Sequence, residues 1–193
     1  MNVYDFDDTI YDGDTNRDLL KYSFKKYPFL VIKSFLKTII PFIKYKFKKI
    51  PFERVKEVML SFLFEIDTEK FIKSFVKSHM KNIKPWYLER HTKKDIILSA
   101  SYHLWIKEFA RELGVKISIA TNTDENGKIV GKNCKKQEKV KRLKEIISLD
   151  EVECAYGDSS CDVYVLNVAK KGFVIEGNEI IPYKKGYKFK TSR

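Results

Sequence analysis

Hydrophobic and polar positions divide the chain into three stretches. The opening Asn2-Val3-Tyr4-Asp5-Phe6 is short and apolar, as a buried strand requires. From about residue 14 to 91 apolar residues recur at helical spacing, for example Phe29, Ile32, Phe35/Leu36, Ile39/Ile40 and Ile43. Pro28, Pro41 and Pro51 are expected to break or kink these helices. Asp67-Thr68-Glu69 reads as a helix start, because short polar side chains cap exposed backbone N–H groups. After Lys94 the pattern alternates. Strands are predicted at 95–99, 116–121, 152–156, 173–175 and 179–182, and helices at 102–113, 136–147 and 159–169, with a hairpin turn at Asn126-Gly127. Alternating strands and helices imply an α/β fold with a Rossmann-like parallel sheet. The first strand must join strands that begin after residue 94. The core is therefore expected from residues 1–13 and 92–193, with a helical insert over 14–91.

Composition narrows the class. The 193 residues are 44% hydrophobic and 14% aromatic, enough for a packed core. The net charge of +12 is concentrated in the insert: between Arg17 and Lys56 stand twelve Lys/Arg and two Asp/Glu. A basic block in one region implies one charged surface facing an anionic partner, rather than a uniformly nucleic-acid-binding chain. Three cysteines without a CxxC pair, and three histidines, argue against a disulfide scaffold and against zinc. Carboxylates follow the first strand at once, so removing a leader would remove them, and a cytoplasmic location is expected. Lys33, Lys37, Lys44 and Lys46 interrupt the apolar stretch from Phe29 to Phe47, so no transmembrane helix is predicted.

Four short elements carry candidate chemistry. Asp5-Phe6-Asp7-Asp8-Thr9 ends the first strand, and ligands of open α/β sheets bind beyond such strand ends. Ser99 ends the apolar run Ile96-Ile97-Leu98. Lys139 starts the helix Lys139-Val140-Lys141-Arg142-Leu143. Gly157-Asp158-Ser159-Ser160-Cys161-Asp162 follows another strand. Each has a plain structural reading as a turn, a cap or a solvated helix face. Their order, DxDxT, Ser, Lys and GDxxxD, resembles the haloacid-dehalogenase-like phosphatases, on the branch that includes phosphoserine phosphatase. The segments DFDDT, ILSAS, GKNCKKQEKVKRL and GDSSCD carry the resemblance.

The resemblance implies a haloacid-dehalogenase-like core with a helical cap after the first strand, and Mg²⁺-dependent hydrolysis of phosphate monoesters. Asp5 would be the nucleophile, forming an aspartyl-phosphate, and Asp7 the general acid and base. Asp5, the main-chain carbonyl of Asp7, and Asp158 would hold Mg²⁺, with Asp162 orienting them. Asp8, Thr9, Ser99, Ala100 and Lys139 would surround the phosphate. Two positions depart from the pattern: Tyr102 follows Ser101 where proline is frequent, and Cys161 precedes Asp162 where asparagine is frequent.

The substrate is expected to be a small phosphometabolite such as phosphoserine, or a lipid phosphate. Asp14 either recognises it or caps the first insert helix. Lys33, Lys37, Lys44 and Lys48 fall at helical spacing opposite Phe, Leu and Ile residues. Two arrangements fit that pattern. The apolar side packs inside the cap, or the helix lies on an anionic membrane surface such as the inner face of the cell membrane. The alternative function is a basic binding module for an anionic membrane or nucleic acid, with a subordinate phosphatase core. No nucleic-acid motif supports the latter.

Overall fold

In a computed structural model, which describes residues 1–190, six strands form one sheet. They are β1 (Asn2–Tyr4), β2 (Ile96–Tyr102), β3 (Ile117–Thr121), β4 (Cys154–Gly157), β5 (Lys171–Glu176) and β6 (Glu179–Pro182). Their order is β3-β2-β1-β4-β5-β6. The first five are parallel, and β6 pairs antiparallel with β5. The first strand thus lies between β2 and β4, although about ninety residues separate it from β2. Its side chains alternate between two apolar layers: Tyr4 packs with Phe6, Ile97 and Trp105, and Val3 with Ile96, Leu98 and Leu166. Tyr4, Tyr156 and Phe173 stack across β1, β4 and β5, with ring centroids 4.5 and 5.0 Å apart.

Between β1 and β2 the chain forms α1 (Thr15–Lys26), α2 (Pro28–Lys46), α3 (Phe52–Met59), α4 (Thr68–His79) and the short α5 (Pro85–Leu88). Asp67 caps α4 through its side chain, accepting from the Lys70 N–H at 3.1 Å. Later helices are α6 (His103–Glu112), α7 (Gln137–Lys144) and α8 (Val163–Val168). The tip of the hairpin after β3 meets the inserted helices at Gly127 (φ +76°). A side chain there would stand within 2.1 Å of the Phe64 ring, so both conformation and space require glycine.

The structure refines several sequence expectations. Of the break or kink expected at Pro41, the break does not occur, and α2 continues from Pro28 to Lys46. An internal proline costs about 3 kcal/mol, and packing of α2 along α1 and α3 offsets it. The strand expected at 95–99 extends to Tyr102, and the helix expected from residue 159 begins at Val163 because residues 158–162 form a loop. The lysine stripe is also different. Lys48 lies beyond α2 at φ +56°, and Lys33 and Lys37 pair with Glu65 at 2.8 and 3.7 Å. The large apolar residues of α2 do not pack inside the cap: Val31, Ser34 and Thr38 face inward, while Phe29, Leu36 and Ile40 face solvent. No helix among the described residues is long and apolar enough to cross a membrane.

Candidate active site

The strand ends of β1, β2 and β4 meet at one edge of the sheet. Asp5 follows β1, and its N–H donates to the Tyr156 carbonyl at 2.9 Å, which continues the β1–β4 pairing by one residue. The chain then turns sharply: Ile10 and Tyr11 N–H groups both donate to the Phe6 carbonyl. Asp8 adopts φ +57° and donates its N–H to the Gly13 carbonyl at 2.8 Å. The Asp8 amide is therefore engaged within the loop. Thr9, fully buried, donates its hydroxyl to Asp5 Oδ2 at 3.3 Å.

Lys139, in the first turn of α7, reaches this edge from the other side. Its buried ammonium donates to Asp5 Oδ1 at 2.5 Å and to Asp162 Oδ1 at 2.6 Å. Burial works against the ammonium, but Asp162 and Asp5 outweigh it and push its pKa above the ordinary lysine value. Asp162 Oδ2 accepts from both the N–H and the hydroxyl of Ser159, at 3.2 and 3.0 Å. The carboxylate thus does not cap α8, although Asp162 stands at the cap position. Gly157 leaves room for it, since a Cβ there would lie 2.4 Å from the Asp162 Cβ.

Carboxylate oxygens of Asp5, Asp158 and Asp162 lie within 4.8 Å of one another. Burial pushes Asp158 up to about 8, and the charges of Asp5 and Asp162 add to that. Burial also raises Asp5, to about 7, against the pull of Lys139. One lysine does not offset the burial of these carboxylates, so Asp5 and Asp158 hold on to protons. An all-oxygen site of this kind fits a hard divalent cation. Asp162 is tied through one oxygen to Lys139 and through the other to Ser159.

A second carboxylate, Asp7, sits apart from that cluster in its own network. Thr15 donates its N–H to Oδ1 at 2.6 Å, and Ser101 donates its hydroxyl to Oδ2 at 2.5 Å. Trp105 fixes the Thr15 hydroxyl at 3.0 Å, and Asn16 donates to the Ser101 oxygen at 2.8 Å. Burial raises the Asp7 pKa, helped by the Asp14 charge, and the Ser101 and Thr15 bonds pull it part of the way back. The result is a carboxyl biased toward its protonated form. The backbone makes this possible in β2: the four-residue step from Leu98 to Tyr102 is set against the two-residue step from Ile119 to Thr121 in β3. That bulge releases Ser99, Ala100 and Ser101 from regular pairing. Ser99 is buried and accepts the Ser101 N–H at 3.0 Å, and the Ala100 carbonyl accepts from Thr121.

Asp14 caps α1, accepting from the Arg17 N–H at 3.0 Å, and its charge also bears on Asp7 and Lys56. In the sequence Lys56 is one lysine of the basic block. It projects inward from α3, its ammonium 5.3 Å from the Tyr102 ring centroid. Burial lowers its pKa against the pull of Asp7 and Asp14. Nothing in the sequence separates it from its neighbouring lysines. Ser101 was legible in principle, because residues two apart on a strand share a face and Ser99 was already a candidate. Lys84, also unforeseen, is buried and ties the Asp8 carbonyl to the Gly177 carbonyl, each at 2.6 Å. A cleft of about 520 Å³ lined by Asp8, Lys84, Asp158 and Gly177 opens beside the carboxylates.

The model of the haloacid dehalogenase-like hydrolases matches residues 3–167. Protein CicA of Caulobacter vibrioides is 39% identical over 90 residues, which covers 42% of this chain and 40% of that protein. The match thus spans about two-fifths of the curated relative. A protein of unknown function from Bordetella pertussis Tohama I has a similar structure, with TM-score 0.72 and 17% identity over 89% of this chain and 87% of that one. A probable phosphoserine phosphatase from Vibrio cholerae is similar at TM-score 0.60 and 14% identity, over 89% of this chain and 55% of that one.

Proposed function

The chain belongs to the haloacid dehalogenase-like hydrolase family, and from that premise we propose that it hydrolyses phosphate monoesters through a phosphorylated Asp5. The observation that carries this reading is the pairing of two carboxylates held by different partners, one by an ammonium and one by a hydroxyl and a main-chain amide. Asp5 is held by Lys139 and Thr9 beside an acidic cluster, and Asp7 is held by Ser101 and Thr15 with a raised pKa.

The division of labour follows from those contacts. Asp5 Oδ attacks phosphorus, and the bond from phosphorus to the leaving oxygen breaks. Asp7, protonated, gives its proton to that oxygen, which leaves as an alcohol. Ionised Asp7 then takes a proton from water as the water attacks the aspartyl-phosphate, releasing phosphate and restoring both carboxylates. Lys139 keeps Asp5 oriented and balances the charge gathering on the phosphoryl oxygens, and the Ser99 hydroxyl donates to one of them. Asp5, Asp158 and the Asp7 carbonyl would hold Mg²⁺, which would supply charge neutralisation. Asp162 positions Lys139. On the leaving-group side, Asp14, Asn16 and Lys56 select the substrate. Asn16 donates to the Ser101 oxygen at 2.8 Å, which ties this side of the site to the Asp7 network.

A phosphate-release screen over amino-acid, sugar, nucleotide and lipid phosphates, with Mg²⁺ and with EDTA, tests the reaction and names the substrate class. Asp5→Asn should lose at least about a thousandfold in turnover while melting like the native protein. Native-like hydrolysis by Asp5→Asn would rule out the covalent mechanism.

A further inference from the structure

The outward face of α2 belongs to neither the core nor the catalytic site. At about 100° per residue, Phe29, Leu36, Ile40 and Ile43 fall within an arc of about 60°, on the side of the helix away from Ser34 and Thr38. Phe29 is 85% exposed, Leu36 63% and Ile40 65%. The buried side is the more polar one: Ser34 meets Ser61 at 3.3 Å, and Thr38 donates to the Ser34 carbonyl at 2.7 Å. An ordinary surface helix has the reverse arrangement. Exposed apolar stretches of this kind mark surfaces that meet another apolar phase.

Charge identifies that phase. From Leu19 to Phe52 the chain has nine lysines and no Asp or Glu. Lys33, Lys37 and Lys44 border one edge of the apolar arc and Lys46 the other, and all four are exposed. Glu65 pairs with Lys33 and Lys37, which leaves Lys44 and Lys46 the freest to meet an external anion. A second copy of the chain would bring two lysine-bordered faces together, an arrangement that repulsion disfavours. A convex apolar ridge between lysines instead matches the boundary of an anionic bilayer, where apolar side chains enter the acyl region and lysines reach the headgroups.

We infer that the outward face of α2 is a membrane-docking surface that lies in the headgroup boundary of an anionic bilayer. Phe29, Leu36, Ile40 and Ile43 enter the lipid, and Lys44 and Lys46 meet anionic headgroups. This does not depend on the catalytic reading, and it describes a protein lying on the membrane, not spanning it.

The test is co-sedimentation of the full chain with phosphatidylglycerol-containing vesicles and with pure phosphatidylcholine vesicles, at low and high salt. The native protein should bind the anionic vesicles and lose binding as salt screens the attraction. Lys44→Gln with Lys46→Gln should lower partitioning about fivefold per lysine. Leu36→Ser with Ile40→Ser should lower it at least about tenfold, because each removes apolar area that enters the lipid. Leu36→Trp should show a blue shift in emission with anionic vesicles only. Thermal melting of each variant checks that the fold is kept. Failure of the native protein to bind anionic vesicles at low salt would overturn the inference. So would a dimer in light scattering that Leu36→Ser with Ile40→Ser converts to a monomer, since a second copy would then be the occupant.

Discussion

Ser101 donates directly to Asp7, and that gives its removal a pH signature separable from a general loss of structure. Its hydroxyl stabilises the ionised carboxylate and so lowers the Asp7 pKa. Removing it in Ser101→Ala should let that pKa rise further. A general acid must be protonated, so the basic limb of the kcat/KM profile should move to higher pH. Turnover should fall roughly ten- to a hundredfold as the carboxyl loses one of its two tethers. The check is a pH–rate profile of both proteins. A drop in activity with an unmoved basic limb would make Ser101 a packing residue only. At this scale the sequence was informative where residue type and strand position coincide. Asp5, Thr9, Lys139, Asp158 and Asp162 were candidates from their motifs, and the fold brings them to one edge. Lys56 and Lys84 could not be recognised, because direction of projection decides their roles, and a lysine in a basic helix or loop carries no mark of which way it points.

Among the elements, α3 has the most consequential placement. It carries Lys56 toward Asp7 and Asp14, and it is pinned to the segment that follows β3. Glu57 accepts the Ile129 N–H at 2.8 Å, and Glu53 accepts from Asn133 and Lys135 at 3.2 and 2.7 Å. These contacts hold the inserted helices against the core and fix the distance between Lys56 and the carboxylates. Partly exposed bonds of this kind each contribute about 0.5–1.5 kcal/mol. Glu53→Gln with Glu57→Gln should therefore reduce kcat/KM roughly tenfold, mainly through KM, and speed amide exchange over residues 129–135. Unchanged exchange and kinetics would show that other packing sets the position of α3. The sequence predicted the strand–helix order after residue 94 because patterns of period two and 3.6 differ plainly there. It did not predict which way α2 faces. Amphipathic spacing shows that a helix has two sides, and burial of Ser34 and Thr38 in place of Phe29 and Leu36 depends on tertiary contacts with α1, α3 and Glu65. Nor does it reveal the bulge in β2, since Ser99, Ala100 and Ser101 are compatible with an unbroken strand.

For the molecule as a whole, the buried carboxylates set how stability depends on pH. Asp5 and Asp158 are raised from the ordinary aspartate value of 3.8 to about 7 and about 8. In each case the folded state binds its proton more tightly than the unfolded chain does. Their stabilising contribution is therefore complete below the ordinary value and is lost as pH rises through the folded pKa values. The exposed glutamates whose pKa values are lowered, such as Glu65 and Glu153, act in the opposite sense but only at acidic pH. Between pH about 5.5 and 8 the buried cluster should dominate, and the melting temperature in EDTA should fall by several degrees. A divalent cation replaces the bound protons, so Mg²⁺ should raise the melting temperature more at the upper end of that window than at the lower. Asp158→Asn removes one of the titrating groups and one proposed ligand, and should flatten both dependences. Scanning calorimetry at the two pH values, with EDTA and with Mg²⁺, measures all of these together. A melting temperature in EDTA that rises with pH, or a Mg²⁺ effect that is equal at both, would mean that the carboxylates at the ends of β1 and β4 are not the protons' binding site. The acidic edge of the sheet would then need another source of charge balance to remain folded at neutral pH.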